Sequence, residues 1–131
     1  MTNEKLMALA INARENSYCK YSGFSVGAAL LAKSGKVYLG CNIENVSFSP
    51  TCCAERTALF SAIAAGEREF LAIAVCGGKK GEKRDKCTPC GVCRQVLSEF
   101  CSKDFPVILE DENSSIIKVT LGELLPFAFD M

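Results

Sequence analysis

Thr51-Cys52-Cys53-Ala54-Glu55-Arg56-Thr57-Ala58-Leu59 is the stretch around which the chain is organised, because it places thiols, a carboxylate and a guanidinium where a helix begins. The helix is predicted from apolar residues at the spacing of one helical face: Ala58, Leu59, Ala62 and Ile63. Pro50 and Thr51 mark its entry, with Thr51 as the predicted cap. The N-terminal end of a helix stabilises anions, so a cysteine there is favoured as a thiolate, the form that binds metals.

A second stretch of the same kind follows further along the chain, Cys87-Thr88-Pro89-Cys90-Gly91-Val92-Cys93-Arg94-Gln95. Thr88 is the predicted N-cap and Pro89 the predicted first helical residue. Cys90 and Cys93 then lie on one face of the first turn. Two helix N-termini that carry thiolates can converge on one divalent cation. The alternative is a structural zinc module without catalysis, in which Cys53, Cys87, Cys90 and Cys93 close the coordination sphere.

Length and composition set the class of protein. The 131 residues are 49% hydrophobic and 23% charged, which predicts one globular domain over residues 1–131. Fifteen basic and fifteen acidic residues cancel, and this balance argues against a nucleic-acid partner. Residues 1–5 are polar and do not resemble a signal peptide, and no apolar run has the length of a membrane span. We therefore expect a soluble, cytoplasmic protein.

Nine cysteines and no histidine narrow the chemistry further. The odd number and the missing signal peptide favour metal binding in a reducing compartment over a disulfide scaffold. The absence of histidine excludes a Ser-His-Asp triad and any histidine ligand. Cys87, Cys90 and Cys93 also resemble the beginning of an iron–sulfur motif, but Cys101 follows too far along the chain to complete it.

The order of predicted elements indicates an α/β fold. We expect a three-layer α/β/α arrangement, in which a mixed five-stranded sheet carries helices on both faces. The two metal-bearing helices would lie side by side on one face. The predicted elements are a helix over 3–16, strands over 24–32 and 37–41, a helix over 53–65, a strand over 70–76, a loop over 77–86, a helix over 90–101, strands over 106–109 and 116–119, and a helical turn over 121–125.

Cys53-Ala54-Glu55 together with Pro89-Cys90-Gly91-Val92-Cys93 resembles the signature of the zinc deaminases. More narrowly, the chain resembles the small homotetrameric cytidine deaminases with three cysteine ligands. The resemblance extends over nearly the whole chain, in five blocks: Tyr21-Ser22-x-Phe24-x-Val26-Gly27-Ala28-Ala29, Gly40-Cys41-Asn42-Ile43-Glu44-Asn45, Cys53-Ala54-Glu55-Arg56-Thr57-Ala58, Pro89-Cys90-Gly91-x-Cys93-Arg94-Gln95 and Leu124-Leu125-Pro126-x-Ala128-Phe129.

The resemblance implies one Zn²⁺ per chain, bound by Cys53, Cys90 and Cys93, with the fourth position open for water. That water would attack C4 of cytidine or deoxycytidine while Glu55 shuttles the protons, and the products would be uridine or deoxyuridine and ammonia. This is a reaction of pyrimidine salvage. Arg56 would offset the negative charge of three thiolates by donating to a ligand sulfur.

The resemblance also assigns substrate-binding roles to five residues. Asn42 and Glu44 would hold the ribose hydroxyls, the backbone of Ala54 the edge of the base, and Phe24 the face of the ring. Phe129 would reach into the site of a neighbouring subunit in the homotetramer. Without the resemblance, Phe24 and Phe129 fit core positions equally well, and Asn42 and Glu44 are ordinary polar loop residues.

The sequence departs from the family at three positions. Phe48 stands where many members carry tyrosine, Lys20 where proline is frequent, and Phe127 where glycine is frequent. These departures bear on substrate affinity and subunit contacts and not on the reaction. Within the enzyme class, deamination of a different amino-heterocycle is the remaining alternative, although Asn42 and Glu44 favour a ribose-bearing substrate.

Overall fold

A mixed sheet forms the centre of the computed structural model, which describes residues 1–131. Its strands are β1 (Phe24–Ala32), β2 (Val37–Cys41), β3 (Phe70–Lys79), β4 (Pro106–Glu110) and β5 (Ile116–Thr120). The five strands are ordered β2-β1-β3-β4-β5. Only β3 and β4 run parallel, and the other neighbours are antiparallel. The mixed sheet predicted from the sequence is confirmed.

Four helices flank the sheet: α1 (Asn3–Ala13), α2 (Ala54–Ala64), α3 (Gly91–Phe100) and α4 (Leu121–Leu124). Helix α1 covers one face, where its buried residues pack on side chains of β1, β3 and β4: Ala29, Ala72, Ala74, Cys76 and Ile108. Helices α2, α3 and α4 cover the other face, where they form one hydrophobic core with the side chains that β1, β3 and β4 point toward them. The three-layer α/β/α prediction is therefore confirmed. None of the helices combines the length and the apolar character that crossing a bilayer requires.

Helix α1 is shorter than the predicted helix over residues 3–16. It ends at Ala13, and a 3₁₀ turn spans Arg14–Asn16. The guanidinium of Arg14 donates to the carbonyl of Ser25 at 3.0 Å and to the carbonyl of Gly78 at 3.0 Å. These bonds draw the turn onto the sheet, a long-range interaction that helix periodicity does not contain.

Strand β3 is longer than predicted, so the predicted loop over residues 77–86 was wrong at its start. The strand continues through Lys79, because Gly77 and Gly78 pair with Val26 and Ser25 of β1. Glycine is unfavourable in strands when considered alone. Here the neighbouring strand supplies the hydrogen-bond partners, and tertiary context outweighs the local preference.

Helix α2 lies directly on the backbone of β2 at Gly40. A Cβ atom at Gly40 would lie 2.2 Å from the carbonyl oxygen of Ala54 and 2.5 Å from the nitrogen of Ala58, so any side chain here would push the helix away from the strand. The hydroxyl of Thr57 accepts a hydrogen bond from the nitrogen of Cys41 at 3.0 Å and donates to the carbonyl of Cys41 at 2.9 Å. The beginning of α2 is thereby fixed to the sheet.

Candidate metal centre and active site

Two helices present their N-termini to one point. Cys53 is the N-cap of α2 and Cys90 is the N-cap of α3, both with extended backbone. The predicted caps, Thr51 and Thr88, were therefore wrong, as was Pro89 as the first helical residue. The sulfur of Cys90 accepts a hydrogen bond from the nitrogen of Cys93 at 3.5 Å, so the cysteine itself takes the capping role.

Three sulfur atoms meet where these helices begin. The Sγ atoms of Cys53, Cys90 and Cys93 all lie within 4.8 Å of one another, and those of Cys53 and Cys90 are 3.7 Å apart. Tetrahedral zinc with Zn–S bonds of about 2.3 Å requires sulfur separations of about 3.8 Å. The cluster therefore fits a zinc ion and leaves one position open. Neither Cys52 nor Cys87 belongs to it.

Arg56 lies against the cluster. Its Nη2 donates to the sulfur of Cys53 at 3.4 Å, and its buried Nε has no hydrogen-bond partner. A hydrogen bond from the Cys93 thiol and then the guanidinium of Arg56 lower the pKa of Cys53 to about 5, against the effect of burial. The same bond to Cys53 raises the pKa of Cys93. Together with the two helix N-termini, Arg56 stabilises negative charge on the sulfur atoms.

Glu55 is the buried carboxyl group of the site. It lies in the first turn of α2 and is only 3% exposed. Burial raises the pKa of Glu55 to about 7, and the negative charge at Cys53 adds to the increase. A carboxyl group with a pKa near neutrality can both accept and release a proton, which is the property of a general acid–base catalyst.

A cavity of about 240 Å³ opens beside these residues. It is formed by the start of β1, the loop before α2 and the loop before α3. The sequence predicted six of its twelve lining residues as site residues: Phe24, Asn42, Glu44, Cys53, Glu55 and Cys90. Ala54 and Cys93 are fully buried behind its surface. The cavity thus brings together most of the predicted site.

Asn42 and Glu44 hold the loops that surround the cavity. The amide of Asn42 accepts from the nitrogen of Val26 at 2.9 Å and donates to the carbonyl of Phe24 at 2.9 Å. The carboxylate of Glu44 accepts a 2.5 Å bond from the hydroxyl of Ser22 and a 3.0 Å bond from the nitrogen of Tyr21. The Ser22 hydroxyl bond is the main reason why the pKa of Glu44 is lowered. Glu44 is therefore a charged acceptor, and its contact with a sugar stays a prediction.

Phe129 does not reach the cavity of its own chain. Its side chain is 72% exposed, and its carbonyl accepts from Nε2 of Gln95 at 3.1 Å. It lines a separate cavity of about 480 Å³ between α3 and the C-terminal segment. Phe129 is thus not part of a core, and the predicted role in a neighbouring subunit stays a prediction.

The three departures from the family have distinct surroundings. Phe127 is fully exposed and has a φ of 53°, a left-handed conformation that explains why glycine suits this position. Phe48 is 84% exposed. The ammonium group of Lys20 lies 5.4 Å from the centre of the Tyr21 ring, so a cation–π contact orients it.

Sequence reasoning missed part of the site. The sequence analysis did not assign the other six cavity residues to the active site: Ser22, Val26, Thr51, Cys52, Cys87 and Thr88. It also missed Arg94, whose guanidinium donates to the carbonyls of Pro89 and Leu124, each at 2.6 Å. Arg94 thereby fixes the loop that carries Cys90. Its place within the Cys-x-x-Cys-Arg motif was a signal, but its partners are distant in sequence.

The site contains three clustered thiols at the starts of α2 and α3 and one buried carboxyl group in the first turn of α2. This combination is that of a metalloenzyme in which the metal has one open coordination position. The comparisons with known proteins identify its family. Residues 1–109 match the cytidine and deoxycytidylate deaminase zinc-binding region, and the chain belongs to this family.

Individual relatives resemble the chain over nearly its whole length. The cytidine deaminase of Sporosarcina psychrophila is 50% identical over 129 residues, which are 98% of this chain and 92% of that protein. A crystal structure of cytidine deaminase from Burkholderia pseudomallei matches with a TM-score of 0.89 and 48% identity, covering 98% of this chain and 100% of that one. The crystal structure of the Mycobacterium tuberculosis cytidine deaminase matches with a TM-score of 0.80 and 34% identity, covering 100% and 99%.

Proposed function

We propose that the protein catalyses the zinc-dependent hydrolytic deamination of cytidine, and of deoxycytidine, to uridine or deoxyuridine and ammonia. The observation that carries the proposal is the buried carboxyl group of Glu55 in the same cavity as the three-sulfur cluster. The chain is a hydrolase of the cytidine deaminase family, acting on a C–N bond. Cys53, Cys90 and Cys93 hold one zinc ion in this proposal.

Glu55 moves the protons of the reaction. Zinc, when bound, acidifies a water in its open position and so supplies the nucleophile at neutral pH. Glu55 accepts a proton from the water that adds to C4 of the pyrimidine and delivers it to N3. It then accepts the remaining proton of the hydroxyl group added at C4 and delivers it to the amino group. The C4–N bond breaks, ammonia leaves, and C4 becomes the carbonyl carbon of the uracil ring. A single carboxyl group serves every transfer, because the chain contains no histidine.

The other predicted residues orient the substrate and balance charge. Phe24 lies against the face of the pyrimidine, the backbone of Ala54 binds its edge, and Asn42 and Glu44 bind the ribose. The hydrogen bond from Arg56 to Cys53 supports a role in offsetting thiolate charge. With this hydrogen bond, a zinc ion bound to the three thiolates would be a stronger Lewis acid than it would be without Arg56.

The active assembly is a homotetramer in this proposal. The support is a set of large apolar side chains that the single chain leaves in solvent, among them Val46, Phe48, Phe127 and Phe129. Exposed apolar groups of this size commonly mark interfaces, and self-association usually closes with point-group symmetry. Phe129, which is away from its own chain's cavity, would complete the cavity of a neighbour.

The proposal extends to the cellular location and role of the enzyme. None of the nine cysteines forms a disulfide, which supports a reducing compartment, and the proposed location is the cytoplasm. The reaction there is a step of pyrimidine salvage. The whole chain, residues 1–131, acts as a single catalytic domain, and neither a nucleic acid nor a membrane is a partner.

Two alternatives are less well supported. A structural zinc module would need Cys87 as a fourth ligand, and the compact sulfur cluster does not include it. Deamination of another amino-heterocycle keeps the same chemistry. The presence of Asn42 and Glu44 on the cavity wall supports a substrate with ribose hydroxyls.

The decisive experiment is direct. Purified, zinc-loaded protein is incubated with cytidine, and the ultraviolet spectrum is followed as it changes to that of uridine, with ammonia measured in parallel. Cytosine and a set of other amino-heterocycles are assayed alongside. Turnover of cytidine above all of them is expected. A folded, zinc-loaded protein that leaves cytidine unchanged would favour the structural module.

A further inference from the structure

Gly77 lies directly behind the wall of the metal cavity. It pairs with Val26 of β1, so it faces the side of the sheet that carries α2 and α3. A Cβ atom at Gly77 would lie 2.8 Å from the sulfur of Cys87 and 2.9 Å from Cε1 of Phe24. Both of these side chains line the cavity that contains Glu55. The sulfur therefore fills a hollow that exists only because residue 77 has no side chain.

The backbone around this hollow is held on both sides. Gly77 is bonded into the sheet through β1, and its carbonyl accepts from the nitrogen of Asp85 at 2.8 Å. Arg84, which precedes Asp85 in the chain, forms two hydrogen bonds with the buried carboxylate of Glu110, at 2.8 and 3.1 Å. The segment that leads to Cys87 is thereby anchored. A larger group at position 77 would be accommodated by side chains moving into the cavity, and not by the backbone moving away.

Cys87 acts in this contact as an uncharged packing group. It is half-buried and lies outside the three-sulfur cluster. Burial, with a smaller effect of the Glu55 carboxylate, raises the pKa of Cys87 to about 12. A protonated thiol is a poor metal ligand and a good neighbour for an aromatic edge.

We propose that Gly77 and Cys87 are positioning residues for Phe24. The sulfur of Cys87, seated over Gly77, supports the edge of the Phe24 ring and so sets the width of the space in which the pyrimidine lies. The inference rests on the proposed function for the identity of that pyrimidine. The packing of the three residues does not depend on it.

The kinetic test compares Gly77→Ala, Cys87→Ala and the double variant Gly77→Ala/Cys87→Ala with the unchanged protein. Gly77→Ala crowds the ring and is expected to raise KM for cytidine roughly tenfold, with kcat within a few-fold and zinc content unchanged. Cys87→Ala leaves the ring unsupported and is expected to raise KM by roughly three- to tenfold. In the double variant the sulfur is absent, so the new methyl group meets only the Phe24 ring and the Cβ atom of residue 87, and the change in KM is expected to be at least about threefold smaller than the product of the two single changes.

A chemical test reads the same contact without any turnover. Iodoacetamide is added to zinc-loaded protein, and alkylation of Cys87 is followed by mass spectrometry. Gly77→Ala is expected to increase the alkylation rate at least about threefold, because a sulfur displaced into the cavity is better hydrated and ionises more readily. The alkylation rate of Cys101, a half-buried thiol that does not line this cavity, is the internal control.

The outcomes separate this inference from the proposed function. If the KM change of the double variant is the product of the two single changes, residues 77 and 87 do not compete for one space, and the proposal is refuted. An unchanged alkylation rate of Cys87 in Gly77→Ala would also refute it. If the unchanged protein does not deaminate cytidine, the proposed function fails, and the alkylation rates alone decide the packing. Cys101→Ala is the matched control variant, and its KM is expected to equal that of the unchanged protein.

Discussion

Nη2 of Arg56 lies 3.4 Å from the sulfur of Cys53, one helical turn earlier in the chain, and the neighbouring Nε has no hydrogen-bond partner although it is buried. An arginine is held in this environment by the negative charge of the sulfur atoms. The two residues therefore act as a charge-compensated pair at the start of α2, whose N-terminal end favours the same thiolate.

Arg56→Gln is expected to lower zinc affinity or kcat by roughly 10- to 100-fold, the usual effect of losing a partner of a metal ligand. The glutamine removes the positive charge and, because it is shorter, also the hydrogen bond that Nη2 donates to Cys53. Affinity is measured by competition with a chelator, and kcat with cytidine. Arg68→Gln is the control, since this exposed arginine bonds only to backbone carbonyls. Equal values for Arg56→Gln and the unchanged protein would remove the compensating role.

The ligand set is tested by two cysteine variants. Cys90→Ala is expected to lose zinc, because two sulfur atoms do not hold the ion. Cys87→Ala is expected to retain one zinc per chain, because Cys87 lies outside the sulfur cluster. Zinc is quantified by elemental analysis after gel filtration. The same loss of zinc from both variants would refute the assignment.

Glu55→Gln is expected to retain the fold and the zinc while kcat falls by at least roughly 10²–10⁴-fold. The amide has nearly the same shape as the carboxyl group but cannot carry protons. Circular dichroism and zinc content serve as controls for folding and loading. A rate within a few-fold of the unchanged protein would remove Glu55 from the mechanism.

Assembly is tested at the C-terminus. Phe129→Ala is expected to raise KM for cytidine without loss of zinc, because the side chain would cover the substrate of a neighbouring subunit. Removal of residues 124–131 is expected to dissociate the tetramer and to abolish activity. Size-exclusion chromatography with light scattering gives the mass of the active species. A fully active monomer would mean that each chain builds its site alone.

Gly40→Ala is expected to lower the free energy of unfolding by about 3 kcal/mol, at the upper end of the usual cost of overpacking. The added methyl group would overlap the carbonyl oxygen of Ala54, a backbone atom that moves only with the helix. Urea denaturation measures the change. Gly91→Ala is the control, since nothing lies within 4 Å of its added Cβ. A similar cost for both variants would show that the contact of α2 with β2 is loose.

The sequence predicted the order of elements well, because it depends on local patterns. Alternation identified β1, and a continuous apolar run identified β3. The spacing of Cys90 and Cys93 placed both on one helical turn, and the family resemblance added Cys53 as the third ligand. The residues it missed depend on contacts between distant segments. Arg94 reaches Leu124, and Cys87 sits over Gly77, and no periodicity in the sequence contains either relation.

The helix caps were mispredicted for a related reason. Thr51 and Thr88 are better caps than cysteine in an average protein. Here other hydrogen bonds hold the loop that precedes each helix. The backbone nitrogen of Asn45 donates to the hydroxyl of Thr51, and the guanidinium of Arg94 donates to the hydroxyl of Thr88. These tertiary bonds use the threonine hydroxyls, and a cysteine is left at each helix start.

Cys53 and Cys90 are 37 positions apart, and the chain between them includes all of α2 and β3. An ion bound to both is a removable cross-link that closes this loop. An unfolded chain whose loop is closed by the ion has less conformational entropy, and this constraint disappears when the ion leaves. The folded protein holds the sulfur atoms together with or without the ion. The free energy of zinc binding would therefore contribute directly to the folding of the central strand, and a chelator is expected to lower the stability of the protein as well as its activity.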